Sequence, residues 1–224
     1  MSMFASSMKN IKGNLLVILG GFVVGIAAQG PTNSSPATVP AAIVKGQGTA
    51  VFGGGCFWGL QAVFEHVRGV SRVTAGYSGG SAETANYDAV SMGNSGHAET
   101  VLINYDSTQV TYGQLLKVFF SVAHDPTELN RQGPDEGTQY RSIIFYSSAE
   151  QRQIAEAYIT QLSRSKVFAH PIVTQVVTLH SFYKAESYHQ DFAVTHPTDS
   201  YIVINNLPKV ARLRDELPEL YVSK

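Results

Sequence analysis

The spacing of apolar residues from position 49 onward predicts alternating strands and helices. Residues 49–52 are apolar and rich in β-branched side chains, which indicates a short buried strand. The apolar residues that follow have the i, i+3, i+4, i+7 spacing of an amphipathic helix; they are Leu60, Val63, Phe64 and Val67. Residues 71–77 and 97–105 alternate between the two faces of a strand, and the Gly-, Ser- and Asn-rich residues 78–94 predict a loop between them.

The middle of the chain predicts a second helix and a further strand. Thr111 can cap a helix whose apolar stripe contains Leu115, Leu116, Phe119 and Ala123. A polar loop with two prolines then covers residues 125–137. Residues 142–146 follow as an apolar segment, which predicts a buried strand.

The last part of the pattern completes the predicted fold. Ser148 and Gln151 match a capping box that opens a third helix, and residues 172–179 are β-branched and strand-like. Pro208 fits the start of a short terminal helix. The order β-α-β-β-α-β-α-β before this helix predicts an α+β fold with two layers, in which helices flank a mixed, ferredoxin-like sheet.

The first 48 residues differ in composition from the rest of the chain. Lys9 and Lys12 precede an apolar stretch at 15–28 that ends in two alanines, the layout of a secretory signal peptide. Residues 29–48 are rich in Pro, Ser, Thr, Ala and Gly, which is typical of a flexible linker. We therefore expect a signal peptide at 1–28, a linker at 29–48 and a globular domain at 49–224. The chain is then exported to a periplasmic or extracellular location; anchoring by an uncleaved segment is the less favoured alternative.

Composition limits the classes of function. The chain has 224 residues, 44% of them hydrophobic, which is enough for one sizeable core. Its net charge of −1 gives no indication of a nucleic-acid partner. Its single cysteine excludes an intrachain disulfide and a zinc site built mainly from thiolates. We expect a monomer.

That single cysteine is the first candidate for chemistry. Cys56 lies in the run GGGCFWG at residues 53–59, where the predicted first strand gives way to the first helix. Backbone N–H groups and the dipole at a helix start favour a thiolate over a thiol. The preceding glycines permit a tight turn, and Phe57 and Trp58 indicate an apolar slot beside the sulfur.

Six segments, taken in order, resemble the peptide methionine sulfoxide reductases of the A type. They are GGGCFWG at 53–59, GYSGG at 76–80, GHAE at 96–99, HDPT at 124–127, NRQGPDEGTQYR at 130–141 and AESYHQ at 185–190. Together they span nearly the whole predicted domain. The resemblance implies an enzyme that reduces methionine S-sulfoxide, free and in oxidised proteins, to methionine, each enzyme class acting on one sulfoxide epimer.

The resemblance also implies a role for seven residues. Cys56 corresponds to the nucleophile and Glu99 to the acid that protonates the sulfoxide oxygen. The residues implied to hydrogen-bond that oxygen are Tyr87 and Tyr140. The residues implied to hold the substrate are Phe57 and Trp58, which would wall its methyl group, and Asp135, which would orient its backbone. No residues indicate a metal site.

Recycling of the enzyme is expected to need an external partner. Relatives that recycle through an internal disulfide have additional cysteines, and this chain has none. The attack should leave Cys56 as a sulfenic acid, which an outside thiol must reduce. No bound cofactor is expected; the reductant is expected to be thioredoxin, glutaredoxin or a small thiol.

Two alternatives remain open from the residues alone. One is a cysteine hydrolase or acyltransferase in which His97 or His189 serves as general base for Cys56. The other is an exported binding module that uses the aromatic slot as a ligand pocket. The hydrolase requires an imidazole beside the sulfur, and the sulfoxide reductase does not.

Overall fold

Eight strands and six α-helices lie within residues 46–224, the part of the chain that the computed structural model describes. The strands are β1 (Gln47–Gly53), β2 (Val70–Ser78), β3 (Ala98–Asp106), β4 (Arg131–Gln132), β5 (Asp135–Glu136), β6 (Ile143–Tyr146), β7 (Gln175–Thr178) and β8 (Tyr183–Lys184). The helices are α1 (Phe57–Glu65), α2 (Tyr87–Ser91), α3 (Tyr112–Val118), α4 (Ala149–Arg164), α5 (Phe192–Thr195) and α6 (Leu207–Glu216). The predicted signal peptide and residues 29–45 of the predicted linker lie outside the described residues.

The sheet confirms the predicted α+β fold. Six strands form it in the order β7-β6-β1-β3-β2-β8. β3 runs antiparallel to both β1 and β2, and β6 runs antiparallel to β1, whereas β7 is parallel to β6. β1 and β2 are therefore parallel to each other, joined by the crossover helix α1, and the four central strands have ferredoxin-like order.

Alternation along β1 separates the two faces of the sheet. Phe52 points into the main core, where its ring stacks on that of Phe119 with centroids 4.9 Å apart. Apolar residues of α1, α3, α4 and α6 belong to the same core. Val51 points to the opposite face, into a smaller cluster with Ile143 and Phe145. The helices thus form one layer on the sheet, and a thinner apolar cover lies on the other face.

Local sequence signals place several helix ends correctly. Cys56 is the N-cap of α1, as the glycine-rich run predicted. Thr111 caps α3 in a complete capping box with Gln114. At α4 only half of the predicted box is present: Ser148 accepts from the Gln151 backbone N–H, but the Gln151 side chain binds the Ser147 N–H instead of the N-cap N–H.

Other segments differ from the sequence prediction. β1 begins at Gln47, two residues before the predicted strand. The predicted loop at 78–94 contains α2, a single turn that Asn86 caps, that buries only Val90 and that is too short to show periodicity. The predicted loop at 125–137 contains the hairpin β4–β5, and the strand predicted at 172–179 is limited to Gln175–Thr178. Within residues 46–224 no helix is long and apolar enough to cross a bilayer.

One arginine ties the start of β3 to the segment before β6. The guanidinium of Arg141 donates to the carbonyl oxygens of Gly96, His97 and Thr138 at 2.9, 3.0 and 2.7 Å. Gly96 and His97 directly precede β3, which carries Glu99. This half-buried side chain therefore fixes the position of β3 relative to the turn that carries Tyr140.

We expect Arg141→Met to lower the free energy of unfolding by about 2 kcal/mol, because three hydrogen bonds from a charged donor are lost, one of them to the carbonyl of the buried residue His97. Urea unfolding followed by circular dichroism measures the change. Arg152→Met is the matched control, because Arg152 is exposed on α4. It forms an i,i+4 pair with Glu156, worth about 0.3–0.5 kcal/mol, and its guanidinium lies 5.8 Å from the centroid of the Tyr146 ring, an exposed contact of about 0.5–1 kcal/mol. Equal unfolding midpoints for the two variants would contradict the role given to Arg141.

Candidate active site

A glycine connection places Cys56 at the start of α1. Gly55 has a φ of +94°, in the region that favours glycine, and its N–H donates to the Tyr140 carbonyl oxygen at 3.0 Å. A Cβ at Gly55 would lie 2.6 Å from Cγ of Gln132, so a larger residue does not fit without movement. The backbone after β1 therefore lies against the segment that contains Tyr140, and α1 begins directly afterwards with Cys56 as its N-cap.

The carboxyl of Glu99 lies beneath the first turn of α1. Its Oε2 accepts a hydrogen bond from the Phe57 backbone N–H at 3.0 Å, and the residue is only 2% exposed. Burial raises the pKa of Glu99 to about 8, against the Phe57 N–H, which lowers it; the charge of Asp135 raises it further. Glu99 is therefore protonated at neutral pH and can donate a proton.

The environment of Cys56 differs from the sequence expectation. Burial raises the pKa of Cys56 well above its ordinary value, and the charge of Glu99 adds to this effect. The Trp58 backbone N–H lowers the pKa, as expected at a helix start, but its contribution is smaller than that of burial. The charge of Asp135 raises the pKa and a hydrogen bond with Tyr201 lowers it. The prediction that the helix start favours the thiolate form of Cys56 is therefore wrong for this site without substrate, because burial raises the pKa more than the Trp58 N–H lowers it.

Asp135 and Tyr201 form a hydrogen-bonded pair beside the sulfur. The Tyr201 hydroxyl donates a short hydrogen bond to Oδ2 of Asp135. Both residues line a cavity of about 70 Å³ that also contains Cys56 and Lys209. Burial raises the pKa of Asp135, whereas Tyr201 and Lys209 lower it. The predicted substrate-orienting carboxylate therefore lies next to the predicted nucleophile.

The two predicted tyrosines approach the same centre from different segments. Tyr87 is the first residue of α2, and its backbone N–H donates to Oε1 of Glu186 at 2.9 Å. Burial raises the pKa of Tyr87, and the charges of Glu99 and Cys56 raise it further. For Tyr140 too, burial is the largest cause of a raised pKa and the charge of Glu99 the next, followed by that of Asp135. Both phenols are thus neutral hydrogen-bond donors that face the Glu99 region.

The two predicted aromatic residues differ in exposure. Phe57 is 1% exposed and packs against Tyr77, with ring centroids 5.8 Å apart, so it lies in the core below the site. Trp58 is half-buried and stacks on Phe192 at 3.8 Å. Its indole N–H donates to Nδ1 of His189 at 3.2 Å. Trp58 therefore has a fixed orientation and can present its ring as an apolar wall.

Sequence reasoning missed Tyr201 and Lys209. Both belong to a C-terminal segment where a π-helical turn, Ile202–Asn206, leads into α6. π-helical turns often occur at functional sites, but their geometry leaves no clear periodic signal in a single sequence. In the sequence, the one sign of a functional segment at 201–209 is that polar residues interrupt an otherwise apolar stretch.

The histidines do not favour the hydrolase alternative. His189 is 2% exposed, and its Nδ1 accepts from Trp58. The His97 ring nitrogens contact the Gly80 N–H and the Ser81 carbonyl oxygen. Among residues 46–224, no histidine lines the Cys56 cavity, and no three His, Cys, Asp or Glu side chains are grouped as metal ligands. A separate cavity of about 780 Å³ contains none of the predicted site residues.

Comparisons with known proteins show the family of the chain. The chain is 57% identical over 179 residues to "Peptide methionine sulfoxide reductase MsrA 2" of Mesorhizobium japonicum, which covers 80% of this chain and 92% of the relative. It is 54% identical to the protein of the same name in Synechocystis, over 77% of this chain and 80% of the relative. In structure it is similar to methionine sulfoxide reductase A of Corynebacterium diphtheriae, with a TM-score of 0.60 and 33% identity over 72% of this chain and 84% of that one.

A second solved structure, Mxr1 of Saccharomyces cerevisiae in reduced form, has a TM-score of 0.63 and 27% identity over 72% of this chain and 91% of that one. The model of the peptide methionine sulfoxide reductase family matches residues 48–220. The chain therefore belongs to the peptide methionine sulfoxide reductases, oxidoreductases that return methionine sulfoxide to methionine.

Proposed function

We propose that Cys56 reduces the S epimer of methionine sulfoxide, free and in oxidised proteins, with Glu99 as the proton donor. The observation that carries this proposal is the hydrogen bond between Glu99 and the Phe57 N–H, next to Cys56. This hydrogen bond joins a neutral carboxylic acid, Glu99, to the residue that directly follows the nucleophile Cys56. Sulfoxide reduction requires this pair, because the oxygen leaves only when it receives a proton as sulfur is attacked.

The remaining site residues are assigned to the substrate. Tyr87 and Tyr140 donate hydrogen bonds to the sulfoxide oxygen, which only accepts them. Trp58 forms the wall for the terminal methyl group. Phe57 is assigned to the same wall: its ring packs against that of His189, as the ring of Trp58 does, and its backbone N–H donates to Glu99. Asp135, held by Tyr201, accepts hydrogen bonds from the substrate backbone.

The reaction balances in two stages. The thiolate of Cys56 attacks the sulfoxide sulfur and forms an S–S bond, while the oxygen takes one proton from Glu99 and one from solvent and leaves as water. A water molecule then attacks the Cys56 sulfur and loses a proton, the S–S bond breaks, methionine is released, and Cys56 is left as a sulfenic acid. A first external thiol then forms a mixed disulfide with Cys56 and releases water, and a second thiol restores Cys56 and leaves as a disulfide. We propose a thioredoxin-like protein, a glutaredoxin or a small thiol as this reductant, and a monomeric enzyme.

We also propose that the chain is exported. Residues 1–28 have the layout of a signal peptide, and the residues from 29 to the start of β1 have the composition of a linker. An exported enzyme of this kind still needs a thiol reductant to restore Cys56. Compartments outside the cytosol are oxidising and allow disulfides to persist, so a reduced thiol must be supplied there. A dedicated thiol protein in the same compartment would meet this need.

The sulfenic acid has a direct stoichiometric test. Without reductant, one equivalent of methionine S-sulfoxide should yield one methionine and one dimedone adduct per chain, because Cys56 is the only thiol. Intact-mass and peptide mass spectrometry measure both products, with Cys56→Ser as the blank. Methionine formed without an adduct at Cys56 would exclude the mechanism.

The acid role of Glu99 predicts both a rate and a pH dependence. Glu99→Ala and Glu99→Gln should slow reduction by about 10²-fold, the usual effect of losing a general acid. In the parent chain, the donor is present below pH 8 and is lost as pH rises through its pKa of about 8, so the single-turnover rate should fall there.

Glu99→Gln separates acid catalysis from positioning, because its amide oxygen can still accept from the Phe57 N–H. It should lack the alkaline fall in rate. Glu150→Gln, a matched change at an exposed position on α4, should retain the parent profile. A Glu99→Gln rate within twofold of the parent would remove Glu99 from the chemistry.

The export proposal predicts the mature N-terminus. In native protein purified from its source, intact mass should place the first residue near Gln29, because the small residues Ala27 and Ala28 suit signal cleavage. Retention of Met1 would refute cleavage, and recovery of the chain only from the cytoplasm would refute export.

A further inference from the structure

Lys209 shares the small cavity beside Cys56. It lies in the first turn of α6 and lines the cavity of about 70 Å³ together with Cys56, Asp135 and Tyr201. Its Nζ also lies against the first turn of α1, 3.6 Å from the position that a Cβ on Gly59 would occupy. Within the described chain, this ammonium makes no hydrogen bond and no ion pair. A cation that interacts electrostatically with Cys56, Asp135 and Glu128 is therefore held next to the thiol without a direct ion pair.

The position of Lys209 is unfavourable for stability. The first turn of a helix carries a positive partial charge, so a lysine there is repelled. Burial lowers the pKa of Lys209, and the charge of Arg212 lowers it too; Cys56, Asp135 and Glu128 act in the opposite direction. A half-buried cation that contradicts a local rule of helix stability indicates a role in the site.

The charges around Cys56 show which anion this cation serves. The titratable side chains that face Cys56 in the described residues come from several segments; they are Tyr87, Glu99, Asp135, Tyr140, Tyr201 and Lys209. Lys209 is the only cation among them. Asp135 accepts a hydrogen bond from Tyr201. The Trp58 N–H and Tyr201 can donate hydrogen bonds to a thiolate at Cys56, but in the described residues the positive charge beside that thiolate comes from Lys209.

We propose that Lys209 is the counter-charge of the Cys56 thiolate, a positioning residue that acts on the nucleophile and not on the sulfoxide. This inference rests on the proposed role of Cys56. With Lys209 present, the cavity that holds Asp135 is neutral before ionisation and carries one negative charge after the thiol loses its proton. Without Lys209, two negative charges would be placed in the same cavity, which strongly disfavours the second.

The ionisation of Cys56 can be measured without sulfoxide or reductant. Because the chain has one cysteine, the pH dependence of the rate of alkylation by iodoacetamide reports on Cys56 alone. Thiolate ultraviolet absorbance gives the same midpoint once the profile of a Cys56→Ser chain, which retains the eleven tyrosines, is subtracted. Lys209→Met should raise the ionisation midpoint by about one pH unit, equivalent to tenfold slower alkylation below the midpoint. Lys209→Arg, which keeps the positive charge, should stay within about twofold of the parent rate.

Two controls isolate the effect from general changes in charge and folding. Lys166→Met removes an exposed lysine after α4 that does not line the Cys56 cavity, and it should leave the profile unchanged. Lys209→Gln is measured beside Lys209→Met, and urea unfolding shows that each variant is folded. An unchanged midpoint in a folded Lys209→Met or Lys209→Gln chain would overturn the inference.

A change in the KM for methionine sulfoxide with an unchanged ionisation midpoint would also overturn it, because Lys209 would then act on the substrate. Failure of the parent chain to form a sulfenic acid at Cys56 would instead overturn the proposed function. The alkylation experiment contains no sulfoxide, so the two failures are distinguishable.

Discussion

The burial of the Glu99 carboxyl beneath α1 is the constraint on which the site depends. The Phe57 N–H donates to this carboxyl, so the same hydrogen bond fixes the start of α1 and joins it to β3. In the described residues no cation pairs with Glu99, and its exposure is 2%, so burial penalises the charged form. A single contact therefore positions the helix that begins after Cys56 and keeps a proton beside the sulfur.

The two carboxyls near Cys56 have different environments, and this difference separates their roles. Glu99 is enclosed, and burial raises its pKa to about 8. Asp135 is half-buried, accepts a hydrogen bond from Tyr201 and shares its cavity with Lys209, both of which favour its charged form. One carboxyl is thereby suited to donate a proton and the other to accept hydrogen bonds from a substrate.

Much of the architecture could be predicted because it depends on local patterns. Helical spacing located α1, alternation located β3, and Thr111 located the start of α3. Short elements were missed: α2 has one turn and one buried residue, Val90, which is too little for a periodic signal. Tyr201 and Lys209 were missed because they reach Cys56 from a segment more than 140 residues away, through a π-helical turn.

By itself, the sequence determined the α+β order of elements, the position of Cys56 at a helix start and the segments that resemble one enzyme family, because spacing and motifs are local properties of the chain. Only the tertiary structure decided the protonation of the site. The pKa of Cys56 and that of Glu99 depend on burial and on the charge of Asp135, which β5 brings to the site. Burial and the distance to a charge are set by residues that are far apart along the chain, so the sequence pattern does not reveal them.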